Sequence, residues 1–224
     1  MQNDTVQICN ILCTKFLEYR NLRFISMNNN PERMQDDELV EEINTHGFVI
    51  IKAERIKPRG LRKNVYVILI NAEKANLNKE GILKIYRIVD QKEKDGNELD
   101  EVIVIAEPSL LNKKNLSNVL NSKAASNKAG ADLKGTMPYY SHYPYTKFRC
   151  VVPEHVLVPK HEICPPSVQQ VFTNVLFLNL NQFPYIRTDD AMVAWTGARV
   201  GELIKITRSD AHTPYSIEYR VVVK

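Results

Sequence analysis

Apolar residues recur along this chain at two different periods, and the change of period divides it. Over residues 5–27, Ile8, Ile11, Leu12, Phe16, Leu17 and Tyr19 follow a 3.6-residue spacing, with Thr5 or Asp4 able to cap the start. The pattern predicts an amphipathic helix that ends at Asn28-Asn29-Asn30-Pro31. Residues 31–44 predict a second helix, rich in acids (Asp36, Asp37, Glu38, Glu41, Glu42), that stops before His46-Gly47. From there the pattern becomes strand-like: residues 48–51, 65–70, 82–86 and 102–106 are short β-rich runs between polar or Gly/Pro punctuation.

The last of these runs continues through Glu107-Pro108-Ser109 into residues 110–120, which read as strand, tight turn and helix. Such a unit between apolar strands predicts an α/β layer domain, a sheet flanked by helices. Residues 122–135 are small and polar and read as a flexible surface insertion, followed by four tyrosines between prolines over 138–146. Beyond residue 148 a helix is predicted over 167–178. A short helix over 190–195 follows, capped by Thr188 or Asp189 and stopped by Gly197. Residues 200–207 and 215–223 alternate as two antiparallel strands. The expected organisation is an α/β domain over residues 1–147 and a small α+β domain over 148–224.

With 44% hydrophobic and 25% charged residues among 224, the composition is that of an ordinary globular protein. No apolar run approaches the roughly 18–20 residues that cross a bilayer. The first residues lack the basic region of a secretory signal, so an intracellular protein without a membrane partner is expected. Four cysteines are too sparse for a disulfide scaffold. Cys9 and Cys13 form a lone C-x3-C with no second close pair, which reads as ordinary thiols rather than a zinc site. Charge is uneven: residues 151–224 hold seven Lys/Arg and seven Asp/Glu, so the whole excess of +4 lies on residues 1–150. Within that part, residues 106–150 carry seven bases against Glu107 and Asp132, which puts any phosphate-facing surface on the N-terminal domain.

The C-terminal quarter carries the most specific pattern. His155-Val156-Leu157-Val158-Pro159-Lys160-His161 is followed by Gln182, Pro184 and Ile186 as Q-x-P-x-I, by Asp190 and Trp195, and by Gly197, Gly201, Lys205, Ile206 and Arg208 as G-x3-G-x3-K-I-x-R. Tyr219 and Arg220 complete it. This series resembles the small shared fifth subunit of eukaryotic and viral DNA-directed RNA polymerases, whose C-terminal module is also a subunit of the archaeal polymerase. The resemblance is strong over about the last seventy residues and weaker before them, where the run of Phe16 to Arg20 and the Glu107-Pro108-Ser109 turn are similar to family segments. Two departures are clear: Ala191 stands where the family has a proline after its acid, and residues 209–214 replace the family's loop. Together with the extra length over 122–135, they look more like a polymerase of a large DNA virus than of an animal or yeast.

The resemblance implies a non-catalytic subunit without cofactor, metal or small-molecule substrate. Residues 148–224 would be the assembly domain, docked on the largest polymerase subunit and its neighbours through His155, Pro159, His161, Trp195, Lys205, Arg208, Tyr219 and Arg220. Residues 1–147 would be a jaw beside downstream double-stranded DNA. There Pro108 and Ser109 at a helix start, with Lys113 and Lys114, would meet phosphates without reading bases. Such a subunit works in the nucleus or, for a viral polymerase, in the host cytoplasm or virion. Two other readings stand beside this one. Asp189-Asp190 with His155 or His161 would be the nucleus of a metal-dependent nuclease, although no third acid, P-loop or nucleophile motif accompanies them. A stand-alone nucleic-acid-binding module would use the basic run 52–63 and the tyrosines of 138–146 for stacking.

Overall fold

The computed structural model describes residues 2–28, 30–57, 63–71, 83, 86–89, 99–111, 118, 120, 138–209 and 215–224. The chain forms two compact units, Met1–Cys150 and Val151–Lys224. Each contains a mixed sheet flanked by helices.

In the first unit, α1 (Gln2–Ile11) runs on through a π-helical turn (Leu12–Phe16) into Leu17–Tyr19, burying Ile8, Leu12, Phe16 and Leu17. The helix expected over 5–27 is therefore shorter. Asn21 takes a left-handed backbone (φ 54°), which Asn tolerates better than most residues, and the chain re-emerges as β1 (Leu22–Met27). The second helix, α2 (Asp36–His46), starts later than residue 31. Asn30 Oδ1 first accepts the Glu32 N–H in a turn, and Glu38 then reaches back to the Gln35 N–H at 3.1 Å. Gly47 ends it at φ 76°.

Five strands lie in chain order across the sheet: β1, β2 (Phe48–Arg55), β3 (Asn64–Ile70), β4 (Leu99–Ala106) and β5 (Tyr139–Pro144). The first three pair antiparallel and the last three parallel. Every residue of β3 and β4 is buried, as expected for central strands covered on both faces. Parallel neighbours need a crossover, usually helical. Residues 83 and 86–89 between β3 and β4 are indeed helical, so of the strand expected over 82–86 the described residues 83 and 86 are helix instead. Leu83, Tyr86 and Val89 share a three-residue spacing and pack with Ile68 and Val102. α3 (Pro108–Leu111) follows β4 directly. Residues 122–135, expected as an insertion, lie outside the described residues.

In the second unit the strand order is β6 (Lys160–Ile163), β8 (Leu203–Arg208), β9 (Ser216–Val223) and β7 (Tyr185–Arg187). The expected antiparallel pairing of the last two strands is present, with Leu203 opposite Val221 and Lys205 opposite Tyr219. One sheet face packs Ile186, Ile204, Ile206 and Val222 against Val193 of α5 (Ala191–Thr196). The other joins Leu203 and Val221 to Val168 and Phe172 from α4 (Pro166–Gln170) and the π-helical turn Val171–Val175 that prolongs it. The cap of α5 is Asp190, one or two residues later than expected. Its Oδ1 accepts the Met192 N–H at 2.7 Å, and Gly197 closes the helix at φ 73°.

Candidate functional site

In the first unit, β3, β4 and β5 run parallel and finish side by side at Ile70, Ala106 and Pro144. Loops at the carboxyl edge of parallel strands are where α/β sheets commonly place ligands. Pro108 and Ser109 emerge there at the first turn of α3: Ser109 is exposed and Pro108 half-buried. The Leu110 and Leu111 N–H groups both donate to the Glu107 carbonyl, tightening this turn. Lys113 and Lys114 lie outside the described residues.

The tyrosines of 138–146 form β5 and its exit rather than a stacking platform. Tyr139, Tyr143 and Tyr145 are buried, and Tyr140 meets the Tyr86 ring edge-on at 5.9 Å. The Tyr145 hydroxyl donates to the Ile70 carbonyl, and burial pushes its pKa up. Three of the four rings are committed to the core and offer no stacking face, and Tyr140 is half-buried against Tyr86. The basic run 52–63 is likewise divided. Arg55 is drawn inward, where its Nε donates to Asp100 at 2.7 Å and its Nη2 to Glu101 at 2.9 Å, while Arg20 meets the other Glu101 oxygen at 2.8 Å. Arg20 also covers the Phe16 ring at 4.8 Å. All four charges are buried, so each depends on the others for the solvation it has lost.

The second unit sorts the remaining candidates onto different surfaces. His161, Arg208 and Arg220 share the α5 face with Glu218, which binds Arg220 at 2.8 Å and approaches Arg208 at 3.6 Å. Arg208 therefore pairs across the strand pair. Burial lowers the His161 pKa, and its Nδ1–H donates to the Pro159 carbonyl at 2.7 Å. Lys205 and Tyr219 project from the opposite face, where Tyr219 packs edge-on against Phe172 at 4.9 Å. His155 and Pro159 lie on the segment before β6, His155 exposed and Pro159 half-buried. Trp195, expected as a contact residue, is fully buried within the unit, at 0% exposure.

The acids considered for metal chemistry have structural roles. Asp189 accepts from Arg187 Nε and Nη2, both at 3.0 Å, and Asp190 is the α5 cap. Among the described residues no group of three or more His, Cys, Asp or Glu is placed to hold a metal ion. Cys9 and Cys13 interact with each other, and this contact is the main cause that raises the Cys9 pKa and lowers that of Cys13.

Motif reading passed over one feature of this unit. Val156 and Leu157 are 92% and 82% exposed inside the His155–His161 motif, and Val171, Val175, Leu176, Phe177 and Leu178 form a second exposed apolar group. The signal was present in composition: residues 165–186 contain no Asp, Glu, Lys, Arg or His, in a chain that is one-quarter charged.

Comparison with known proteins bears on the same unit. Residues 150–222 match the family model described as RNA polymerase Rpb5, C-terminal domain. The RNA polymerase subunit Rpo5 of Archaeoglobus fulgidus is 36% identical over 70 residues, 31% of this chain and 92% of that protein. Rpo5 of Methanocaldococcus jannaschii is 34% identical over 73 residues, 33% of this chain and 94% of its own. The RPB5 homologue of an African swine fever virus isolate is 24% identical over 210 residues, covering 94% of this chain and 93% of the viral protein. The motif series and its sheet thus lie in a segment that makes up nearly all of the archaeal proteins, while the full length is shared with the viral one; the chain belongs to the Rpb5/Rpo5 family of DNA-directed RNA polymerase subunits.

Proposed function

We propose that this chain is a non-catalytic polymerase subunit that docks on the largest subunit through residues 148–224 and lays residues 1–147 as a jaw beside downstream duplex DNA. One observation carries the docking half. The archaeal proteins named as polymerase subunit Rpo5 consist almost entirely of the segment matched here, which supports that segment as the docking part. Its surface suits docking. Exposed Val156 and Leu157 beside His155 and Pro159 offer apolar contact, and the Arg208–Glu218–Arg220 group with His161, and Lys205 with Tyr219, offer charged and aromatic contact. The jaw half rests on the exposed Ser109 turn at the carboxyl edge of β4 and on the basic excess of residues 1–150. Contact there would be non-specific and salt-sensitive. The full-length likeness to viral homologues favours transcription in the host cytoplasm or virion, with the nucleus as the alternative.

The test is capture of the tagged full chain from its native source, measuring the stoichiometry of co-purifying chains. The two large polymerase subunits should be recovered at equal stoichiometry, and Arg208→Glu should release them. Lys113→Glu with Lys114→Glu should leave assembly intact and weaken retention on duplex DNA. Retention of the Arg208 variant at wild-type stoichiometry sinks the assigned docking face. Unchanged salt-dependent DNA retention of the lysine variant sinks the jaw assignment.

A further inference from the structure

The segment 165–186 faces two ways. Inward, Val168 and Phe172 pack on the sheet, and the Phe172 ring meets Phe183 edge-on at 5.3 Å. Outward, Val171, Val175, Leu176, Phe177 and Leu178 remain exposed, Phe177 at 83%. A helix on a small unit needs one apolar stripe, and here Val171 and Val175, which follow Val168 and Phe172 at three-residue spacing, stay exposed beside it. Val171 and Val175 are four apart and lie on the π-helical turn, a distortion that recurs at functional sites. The turn ends with the Leu176 N–H on the Val171 carbonyl at 3.1 Å and the Leu178 N–H on the Phe172 carbonyl at 2.9 Å. Between these bonds Phe177 sits at φ 55°, the position after a helix end that ordinarily belongs to Gly or Asn. A bulky side chain held there at a cost in backbone strain, with its ring in water, has no use within the fold.

We propose that the ledge of Val171, Val175, Leu176, Phe177 and Leu178 is a protein-docking site, with Phe177 as its anchor, that takes an uncharged apolar segment of another subunit of the polymerase. The inference rests on the polymerase-subunit reading and adds an uncharged apolar surface to the residues assigned above. Charge selects the occupant. With no Lys, Arg or His over residues 165–186, the segment offers nothing to a phosphate backbone. With no charged side chain at all, it would leave a partner's charge buried and uncompensated, whereas an apolar partner loses nothing there. Membership of a multisubunit enzyme supplies protein neighbours. An aromatic surrounded by smaller apolar side chains is the arrangement of a binding hot spot.

The experiment uses the full chain in two forms. In the first, p-benzoylphenylalanine replaces Phe177, the polymerase is purified through the tagged chain, irradiated, and the cross-linked chain identified by mass spectrometry. In the second, Phe177→Gly and Phe177→Leu are compared with wild type for retention of polymerase subunits at raised salt, where ionic contacts weaken and apolar ones do not. Glycine accepts the left-handed backbone, so Phe177→Gly should keep or raise the Tm while losing retention by at least about tenfold. Leucine should restore most of it. A cross-link to an apolar segment of another polymerase subunit together with that loss supports the ledge. Equal retention of Phe177→Gly in a polymerase the wild type does capture, or cross-links only to DNA or to a second copy of this chain, overturns the ledge and leaves the subunit reading standing. Failure of the wild type to capture any polymerase subunit overturns the subunit reading and this inference with it.

Discussion

Both units bury charge, Arg199 and Glu202 in the second, but they handle apolar surface in opposite ways. The N-terminal unit takes charge inside: Arg20, Arg55, Asp100 and Glu101 are all buried and bonded to one another, and its tyrosines pack in the core. The C-terminal unit turns apolar surface outward. Among the described residues, ten of the exposed large hydrophobic side chains belong to it and only Tyr19 and Ile56 to the longer first unit. A buried and fully engaged charge network belongs to a body that satisfies its own groups. Uncovered Val, Leu and Phe side chains are the surface that the proposed docking would cover. The contrast agrees with the family pattern, in which the second segment alone accounts for the archaeal proteins.

The largest test of the contrast is Glu101→Ala. Glu101 receives both Arg20 and Arg55, so its loss leaves two buried guanidinium groups short of a partner and should cost about 3–5 kcal/mol. Hydrogen exchange can assign that loss by region. Protection should fall in Asn64–Ile70 and Leu99–Ala106 and stay unchanged in Leu203–Arg208 and Ser216–Val223. A loss below about 1 kcal/mol, the size of a surface pair, would mean that water reaches the network, and the N-terminal unit would no longer be the self-satisfied one.

Sequence pattern reached the elements whose own residues decide them. The strand over 102–106 and its turn into Pro108, the Asp190-to-Gly197 helix and the final strand pair are set by alternation and by cap residues close in the chain. It failed where a distant partner decides. Residues 22–27 continue an apolar pattern that local spacing reads as helix, yet pairing with β2 makes them a strand. Residues 83 and 86–89 resemble a strand by composition but serve the crossover that parallel β3 and β4 require. The candidate site was legible as a motif but not as a surface. His161 and Arg208 share a face, Lys205 and Tyr219 lie on the other, and Trp195 is interior, a sorting that needs the strand register. The apolar ledge was missed because motif reading follows charged and aromatic identities, and this segment is marked by having no charge.

A smaller effect sharpens the contrast from the other side. Asp190→Ala removes the side-chain acceptor of the Met192 N–H and should cost about 1 kcal/mol. Because α5 covers Ile204 and Ile206, the loss of protection should appear in the second sheet and leave the first untouched. Denaturant unfolding combined with hydrogen exchange measures both parts. Equal loss in the two sheets would mean that the units do not respond separately.

The smallest expected effect is on pH dependence, and it compares one histidine in each unit. Burial lowers the pKa of His142 with no opposing influence, whereas for His161 the Pro159 carbonyl and Asp190 pull upward while Arg208 and Arg220 add to the lowering. A base whose pKa is depressed by folding is protonated first in the unfolded chain. Its contribution to stability is complete above the ordinary histidine pKa of about 6.5 and is lost as pH falls from there toward the folded value. Urea unfolding on either side of that pH should show a slope that His142→Gln reduces more than His161→Gln. Arg208→Glu should flatten the share due to His161, because it removes a neighbour that disfavours the imidazolium and supplies one that favours it. If the slope is unchanged by His142→Gln but abolished by His161→Gln, the charged face of the C-terminal unit, and not apolar burial in the N-terminal one, governs the response to acid.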